Sequence, residues 1–198
     1  MEFLLRKGIA MAAELIFVTG GVRSGKSDWA LREASRLAED RPVIFIATAS
    51  VDPSDLDLEE RVEKHRANRP EYWVTLEADT DLGSVVTDAA QRSRTVLVDD
   101  LTQWVSRLLL DAGEDDVKEF RLMAELGVEA ALSGLISALE LCGAKVIVVS
   151  GEVGAGVAPP TRLGNVFADL LGMVNARVAE RADRAILMVS GLPVVLKG

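Results

Sequence analysis

Gly20-Gly21-Val22-Arg23-Ser24-Gly25-Lys26-Ser27 is the stretch from which the rest of the chain is read. An apolar run, Leu15-Ile16-Phe17-Val18, precedes it. A segment with helical spacing, Trp29, Ala30, Ala34, Leu37 and Ala38, follows it. Strand, glycine loop and helix in that order fit G-x-x-x-x-G-K-[ST], the phosphate-binding P-loop. Glycines let the backbone curl until successive N–H groups face one anion, and the helix start adds the positive end of its dipole. In that motif Lys26 reaches the β- and γ-phosphates, and the Ser27 hydroxyl ligates Mg²⁺. A glycine-rich turn can meet the pattern by accident, but the strand before and the helix after argue for a nucleotide site.

The chain has 198 residues, enough for one domain with a core of its own. With 49% hydrophobic and 27% charged residues it reads as an ordinary globular sequence. Its net charge of −9 disfavours nucleic acid and anionic membrane as partners. The one cysteine, Cys142, cannot form an internal disulfide and reads as a small hydrophobe at a helix end. No unbroken apolar run approaches the ~20 residues that span a bilayer. In Met1-Glu2-Phe3-Leu4-Leu5-Arg6-Lys7-Gly8 the charges follow the apolar residues, the wrong order for a signal peptide. Residues 1–13 are therefore taken as an extension, residues 14–198 as a single catalytic domain, and the location as cytoplasmic.

Further along, Pro42-Val43-Ile44-Phe45-Ile46-Ala47-Thr48 reads as a buried strand. An acidic loop (Asp52, Asp55, Asp57, Glu59, Glu60) leads into a helix of about three turns ended by Pro70. A strand is expected over Tyr72-Trp73-Val74-Thr75-Leu76 and a short helix from Leu82 to Ala90. The next strand is Thr95 to Asp100, followed by a helix from Leu101 to Leu110. Asp111 to Asp116 reads as a loop, and a long amphipathic helix fills the stretch to Leu141. Lys145 to Ser150 is a fifth strand, and a last helix runs from Gly164 to Arg181. Ala185–Val189 and Val194–Leu196 form a closing hairpin through Gly191-Leu192-Pro193. Alternating apolar strands and helices predict an α/β fold with a mostly parallel sheet covered on both faces. Ligands of such sheets bind at the carboxyl ends of the strands.

Two further candidates stand out. Asp99 closes an apolar strand, where P-loop enzymes place an acid that holds Mg²⁺; the alternative is a solvated strand end. His65 is the only histidine, within a basic cluster of Arg61, Lys64, Arg66 and Arg69. Arg61, His65 and Arg69 share one helix face by their i, i+4, i+8 spacing. Bases at a helix C-terminus also satisfy the macrodipole, so a purely structural role stays open. Neutral imidazole is, however, a competent nucleophile near pH 7, and arginines bind phosphate oxygens in pairs.

Taken together, these blocks resemble the bifunctional adenosylcobinamide kinase / adenosylcobinamide-phosphate guanylyltransferase family of cobalamin biosynthesis, from about residue 14 to the end. The carriers are the loop itself, Ile46-Ala47-Thr48, His65-Arg66-Ala67-Asn68-Arg69-Pro70 with Trp73, Thr75 and Glu77, and Val96-Leu97-Val98-Asp99. Glu152-Val153-Gly154-Ala155-Gly156-Val157-Ala158-Pro159 follows, then Leu163-Gly164, Phe167, Asp169, Gly172 and Asn175. The resemblance implies a RecA-like P-loop NTPase fold, Mg²⁺, a homotrimer, and ATP, GTP and adenosylcobinamide as substrates. It implies phosphorylation of the cobinamide hydroxyl, then transfer of GMP from GTP through a guanylylated His65, with Lys26 also catalytic. By the same carry-over Gly20, Gly21, Val22, Arg23, Ser24, Gly25, Lys26, Ser27, Ala47, Thr48, Ala49, Arg66, Ala67, Asn68, Arg69, Glu77 and Asp99 line the nucleotide site, with Ser27 and Asp99 on the metal.

Against the family's habit, Gly151 stands for Asn, Asn165 and Ala168 for Arg, and Ala176 for Gln, while Asp99 stands where Glu is frequent. The first four bear on the corrinoid side rather than on the nucleotide. Two rival readings remain at this level: a small-molecule kinase with one activity, and a GTP-binding switch that transfers nothing.

Overall fold

The computed structural model describes residues 13–48, 69–111 and 117–198. Its strands are β1 (Glu14–Gly20), β2 (Ile44–Ala47), β3 (Val74–Glu77), β4 (Thr95–Asp99), β5 (Lys145–Gly151), β6 (Arg184–Val189) and β7 (Leu192–Lys197). Its helices are α1 (Lys26–Ala38), α2 (Leu82–Arg92), α3 (Leu101–Asp111), α4 (Val117–Leu141) and α5 (Arg162–Arg181). The strands form one sheet in the order β3-β2-β4-β5-β1-β6-β7, parallel except for the last pair. β1, β4 and β5 are nearly continuous apolar runs because helices cover both of their faces.

Register divides the core in two. Ile16, Val18, Phe45, Leu97, Ile147 and Val149 point to the face covered by α1, where Ala30, Leu31, Ala34 and Leu37 meet them. Leu15, Phe17, Val96, Val98, Val146 and Val148 point to the other face, against α2, α3, α4 and α5. On that side α2 crosses α4 at a glycine: a Cβ on Gly83 would lie 2.8 Å from the Gly134 backbone. Gly83→Ala should therefore cost about 1–3 kcal/mol. A Cβ on Gly134 meets nothing within 4 Å, so Gly134→Ala should stabilise by up to about 1 kcal/mol through helix propensity. Urea denaturation of the two variants checks this; a Gly83→Ala variant as stable as the parent would mean that the crossing is not so close.

Among the described residues the sequence reading places the elements correctly but shifts their ends. β3 begins at Val74, paired with Ile44, because Trp73 has already turned into the core and its N–H donates to Pro70 O. β2 begins at Ile44, after proline and one further residue, and Thr48 leaves the ladder. β4 stops at Asp99, since Asp100 caps α3 by accepting from the Gln103 N–H. β5 runs on to Gly151, α2 to Arg92, and α5 starts at Arg162 behind a Thr161 cap. The hairpin turn is Ser190-Gly191, with φ of 51° and 83°, rather than Gly191-Leu192-Pro193. Two central residues at positive φ match the right-handed twist of the strands. Leu192 and Pro193 belong to the edge strand β7, where a missing N–H is tolerated.

One helix qualifies the expectation about apolar runs. Counting unbroken apolar runs finds no bilayer-length segment, yet Glu119–Leu141 of α4 is a helix long and apolar enough to span a membrane, with mean hydropathy 1.5. Arg121, Glu125, Glu129 and Glu140, with Gly127, Ser133, Gly134 and Ser137, break the apolar runs, while the leucines and alanines between them keep the mean hydropathy high. Its stripe of Ala124, Val128, Leu132, Leu135, Ile136 and Leu139 packs into the core.

Candidate active site

The P-loop sits where the sequence puts it, between the carboxyl end of β1 and the start of α1. Gly25 has φ 90° and immediately precedes Lys26, the first residue of the helix. Glycine is also needed at Gly20, where a Cβ would lie 2.6 Å from Met188 O and from Ser24 Oγ. The loop is braced from three sides. Its own Ser24 N–H donates to Gly21 O, the Gly191 N–H of the hairpin turn donates to Ser24 O, and the Glu152 N–H donates to Gly20 O. Gly21, Val22 and Arg23 form the exposed rim, and Val22 is 87% exposed. Lys26 Nζ donates to Gly21 O at 3.3 Å, so its charge lies over the loop.

Ser27 Oγ donates to Asp99 Oδ1 at 3.3 Å, joining α1 to the end of β4. A hydroxyl and a carboxylate, both hard oxygen donors, suit Mg²⁺ bound chiefly through phosphate and water oxygens. Among the described residues no group of three or more His, Cys, Asp or Glu could hold a metal by itself. The fit is thus to a metal that arrives with a nucleotide. Burial, and then the charge of Asp100, push the Asp99 carboxyl up to about 7, while the Ser27 hydroxyl, Lys26 and Arg69 pull it down. Burial raises Asp100 as well, although the Gln103 N–H stabilises its charge.

That displacement has a sign that can be tested. A carboxyl whose folded pKa exceeds its unfolded value binds more protons in the native state, so stability falls as pH rises through the interval. The metal-free protein should therefore lose stability between about pH 4 and pH 7, on the order of 1–3 kcal/mol. Asp99→Asn should flatten that slope and be the more stable protein at pH 8. Thermal melts of both across this range decide it, and an unchanged slope in the variant would overturn the account.

Ala47 lies between Asp99 and Glu77 in register on the neighbouring strands. Thr48 is buried; its N–H donates to Asp99 O and its hydroxyl to Asp100 O at 2.6 Å, tying β2 to the acid pair. Arg69 lies on the same side of the sheet, its Nη1 donating to Thr75 Oγ1 at 3.1 Å. So the structure gathers Lys26, Ser27, Ala47, Thr48, Arg69, Glu77 and Asp99 at the carboxyl ends of β1, β2, β3 and β4. The expectations for Ala49, the acidic loop and helix before Pro70, His65, Arg66, Ala67 and Asn68 fall outside the described residues, as do those for 1–12 and 112–116.

Some partners were not visible in sequence. The Gly151 N–H donates to Thr102 Oγ1 at 2.7 Å, and a Cβ there would stand 2.8 Å from that oxygen, so glycine fits where the resemblance favours Asn. The buried Asn175 donates to Gly151 O from α5. Asn165 spans Pro159 O and Thr161 O, closing the loop before α5 rather than reaching outward as an arginine would. Cys142, just beyond α4, donates to Leu139 O. It borders a groove of about 580 Å³ between α2 and the end of α4 that contains none of the site residues.

The sequence model of the family described as cobinamide kinase / cobinamide phosphate guanyltransferase matches residues 16–196. A bifunctional adenosylcobalamin biosynthesis protein CobU from Escherichia coli K12 is 39% identical over 92% of this chain and 99% of its own length. Its namesake from Salmonella typhimurium is 37% identical over the same shares. The bifunctional adenosylcobalamin biosynthesis protein CobP of Pseudomonas aeruginosa is 36% identical over 91% of this chain and 96% of its own. Among solved structures, a KaiC-like protein from Pyrococcus horikoshii aligns with TM-score 0.48 and 17% identity over 88% of this chain and 70% of that one. With a mostly parallel sheet, a P-loop at the end of β1 and nearly full-length matches of this kind, the chain belongs to the cobinamide kinase / cobinamide phosphate guanyltransferase family.

Proposed function

We propose that residues 14–198 form one catalytic unit that phosphorylates adenosylcobinamide with a nucleoside triphosphate and then transfers GMP from GTP to the resulting phosphate. The observation that carries this reading is the Lys26–Ser27–Asp99 arrangement at the end of β1 and β4, in a chain of this family. The P-loop N–H groups and Lys26 hold the β- and γ-phosphates. Ser27 and Asp99 would hold Mg²⁺, which supplies charge neutralisation to the phosphate oxygens. Thr48, Ala47 and Glu77 form the adjoining wall, with Ala49, Arg66, Ala67, Asn68 and Arg69 completing the nucleotide site.

In the first reaction the acceptor hydroxyl attacks the γ-phosphorus and the nucleoside diphosphate leaves. In the second, His65 attacks the α-phosphorus of GTP, the bond to the β-phosphate oxygen breaks, and pyrophosphate leaves. The cobinamide phosphate then attacks the phosphoramidate, frees the imidazole and forms adenosylcobinamide-GDP. Covalent catalysis divides one transfer between two bulky anions into two displacements. The assembly expected with this reading is a homotrimer working in the cytoplasm.

The test is incubation with Mg²⁺ and GTP labelled at its α-phosphate, without acceptor. Retained label and released pyrophosphate are expected, whereas a simple kinase or a binding switch retains none. The metal assignment is checked alongside. Asp99→Asn should lower turnover by about 10²–10³, as loss of a phosphate-neutralising group does. Asp100→Asn keeps its cap on the Gln103 N–H and should lose far less; equal losses would remove the distinction between the two acids.

A further inference from the structure

The register of β4, β2 and β3 arranges two rows of side chains on the α1 face. Leu97, Phe45 and Thr75 form the inner row, and Asp99, Ala47 and Glu77 lie one step nearer the carboxyl ends. Arg69 lies across the inner row. Its guanidinium carbon is 3.6 Å from the centroid of the Phe45 ring, and its Nη1 donates to Thr75 Oγ1 at 3.1 Å. In the register of the described strands Ala47 stands between the two acids of the outer row. The arginine charge is felt at Asp99, whose carboxylate it favours.

This geometry restrains the group in two independent ways. The ring face fixes the plane of the guanidinium, since a cation over an aromatic ring gains from the ring's quadrupole. The Thr75 hydroxyl fixes rotation within that plane by taking one of the five N–H donors. An arginine side chain is long and has many rotamers, so a charge held in this way loses less freedom on meeting an anion. Phe45 is itself buried within β2, 3% exposed. A stack and a hydrogen bond to an exposed threonine would be a costly way to build a merely solvated surface arginine.

We propose that Phe45 and Thr75 are positioning residues that hold the Arg69 guanidinium on the sheet face that carries Asp99, where it contacts phosphate oxygens of the bound nucleoside triphosphate. The proposal rests on the nucleotide site described above and names two residues that act through the arginine. Both should matter for the phosphates and not for the base.

The test is a set of GTP titrations in Mg²⁺ on the parent, Thr75→Val, Phe45→Leu, Arg69→Ala and the double variant Thr75→Val/Arg69→Ala, with guanosine as competitor. Thr75→Val and Phe45→Leu should each weaken GTP binding about three- to tenfold, the range of a lost cation–π contact or hydrogen bond. Guanosine affinity should stay at the parent value. In the Arg69→Ala background Thr75→Val should add nothing, because its effect passes through the missing guanidinium. Thr75 is exposed, so its variant remains informative even where Phe45→Leu loosens the core. Parent GTP affinity in Thr75→Val, full additivity in the double variant, or a parallel loss of guanosine would each overturn the proposal. Unchanged GTP binding in Lys26→Ala would be a different failure, since it removes the nucleotide site on which the proposal depends.

Discussion

Lys26→Ala is expected to lose both transfers, with turnover down by about 10²–10³ or more and GTP bound roughly ten- to a hundredfold more weakly. The side chain is the ammonium of the loop, and its described contact within the protein is a long hydrogen bond to Gly21 O. Its removal therefore takes away phosphate neutralisation and leaves the packing of α1, which relies on Ala30, Leu31, Ala34 and Leu37, as it was. Circular dichroism should be unchanged while isothermal titration with Mg²⁺-GTP shows the loss. A variant that binds GTP and turns over like the parent would mean that Gly20 to Ser27 is not the nucleotide site. Arginine at the same position should not restore activity, because its planar fork does not fit a cradle built for a compact ammonium.

The second large effect is expected at His65. His65→Ala should abolish retention of α-labelled GMP and guanylyl transfer, while GTP still binds, since the P-loop supplies the phosphate contacts. Phosphorylation of adenosylcobinamide should continue, because that step needs no covalent intermediate. The adduct of the parent should be labile to acid and stable to alkali, as a phosphorus–nitrogen bond is. Labelling should fall as pH drops through the range near 6.5 where an ordinary imidazole takes a proton and loses its attacking lone pair. Should the alanine variant label as strongly as the parent, the covalent route fails and a kinase with a single activity becomes the better account.

The local signals were the reliable ones. β1, the loop and α1 were legible because an apolar run, a glycine pattern and a 3.6-residue period each act over a few neighbours. The family was legible for a related reason: its blocks are short, ordered along the chain and rich in residue types that phosphate chemistry needs. What went astray depended on partners distant in sequence. Tyr72 and Trp73 look like strand, but Trp73 is drawn into the same core cluster as Phe45, so the ladder of β3 opens two residues later than expected. Gly191-Leu192-Pro193 looks like a turn, but the β6 register closes the chain at Ser190-Gly191 and leaves proline on an edge where its missing N–H does no harm. In α4, the count of apolar runs could not foresee a helix whose leucines and alanines keep it apolar enough to pass for a membrane span.

By itself, then, the sequence determined the elements, their order, the phosphate loop and the family, because backbone propensity and motif chemistry are written in contiguous residues. The sequence singled out Asp99 by its place at the strand end, but only the tertiary structure gave the two acids their partners, Ser27 for Asp99 and the Gln103 N–H of α3 for Asp100. It also decided that the hairpin turn supports the P-loop through the Gly191 N–H, and that Arg69 lies on Phe45. These are contacts across the sheet, set by parallel register and crossover connections, and no local pattern encodes them.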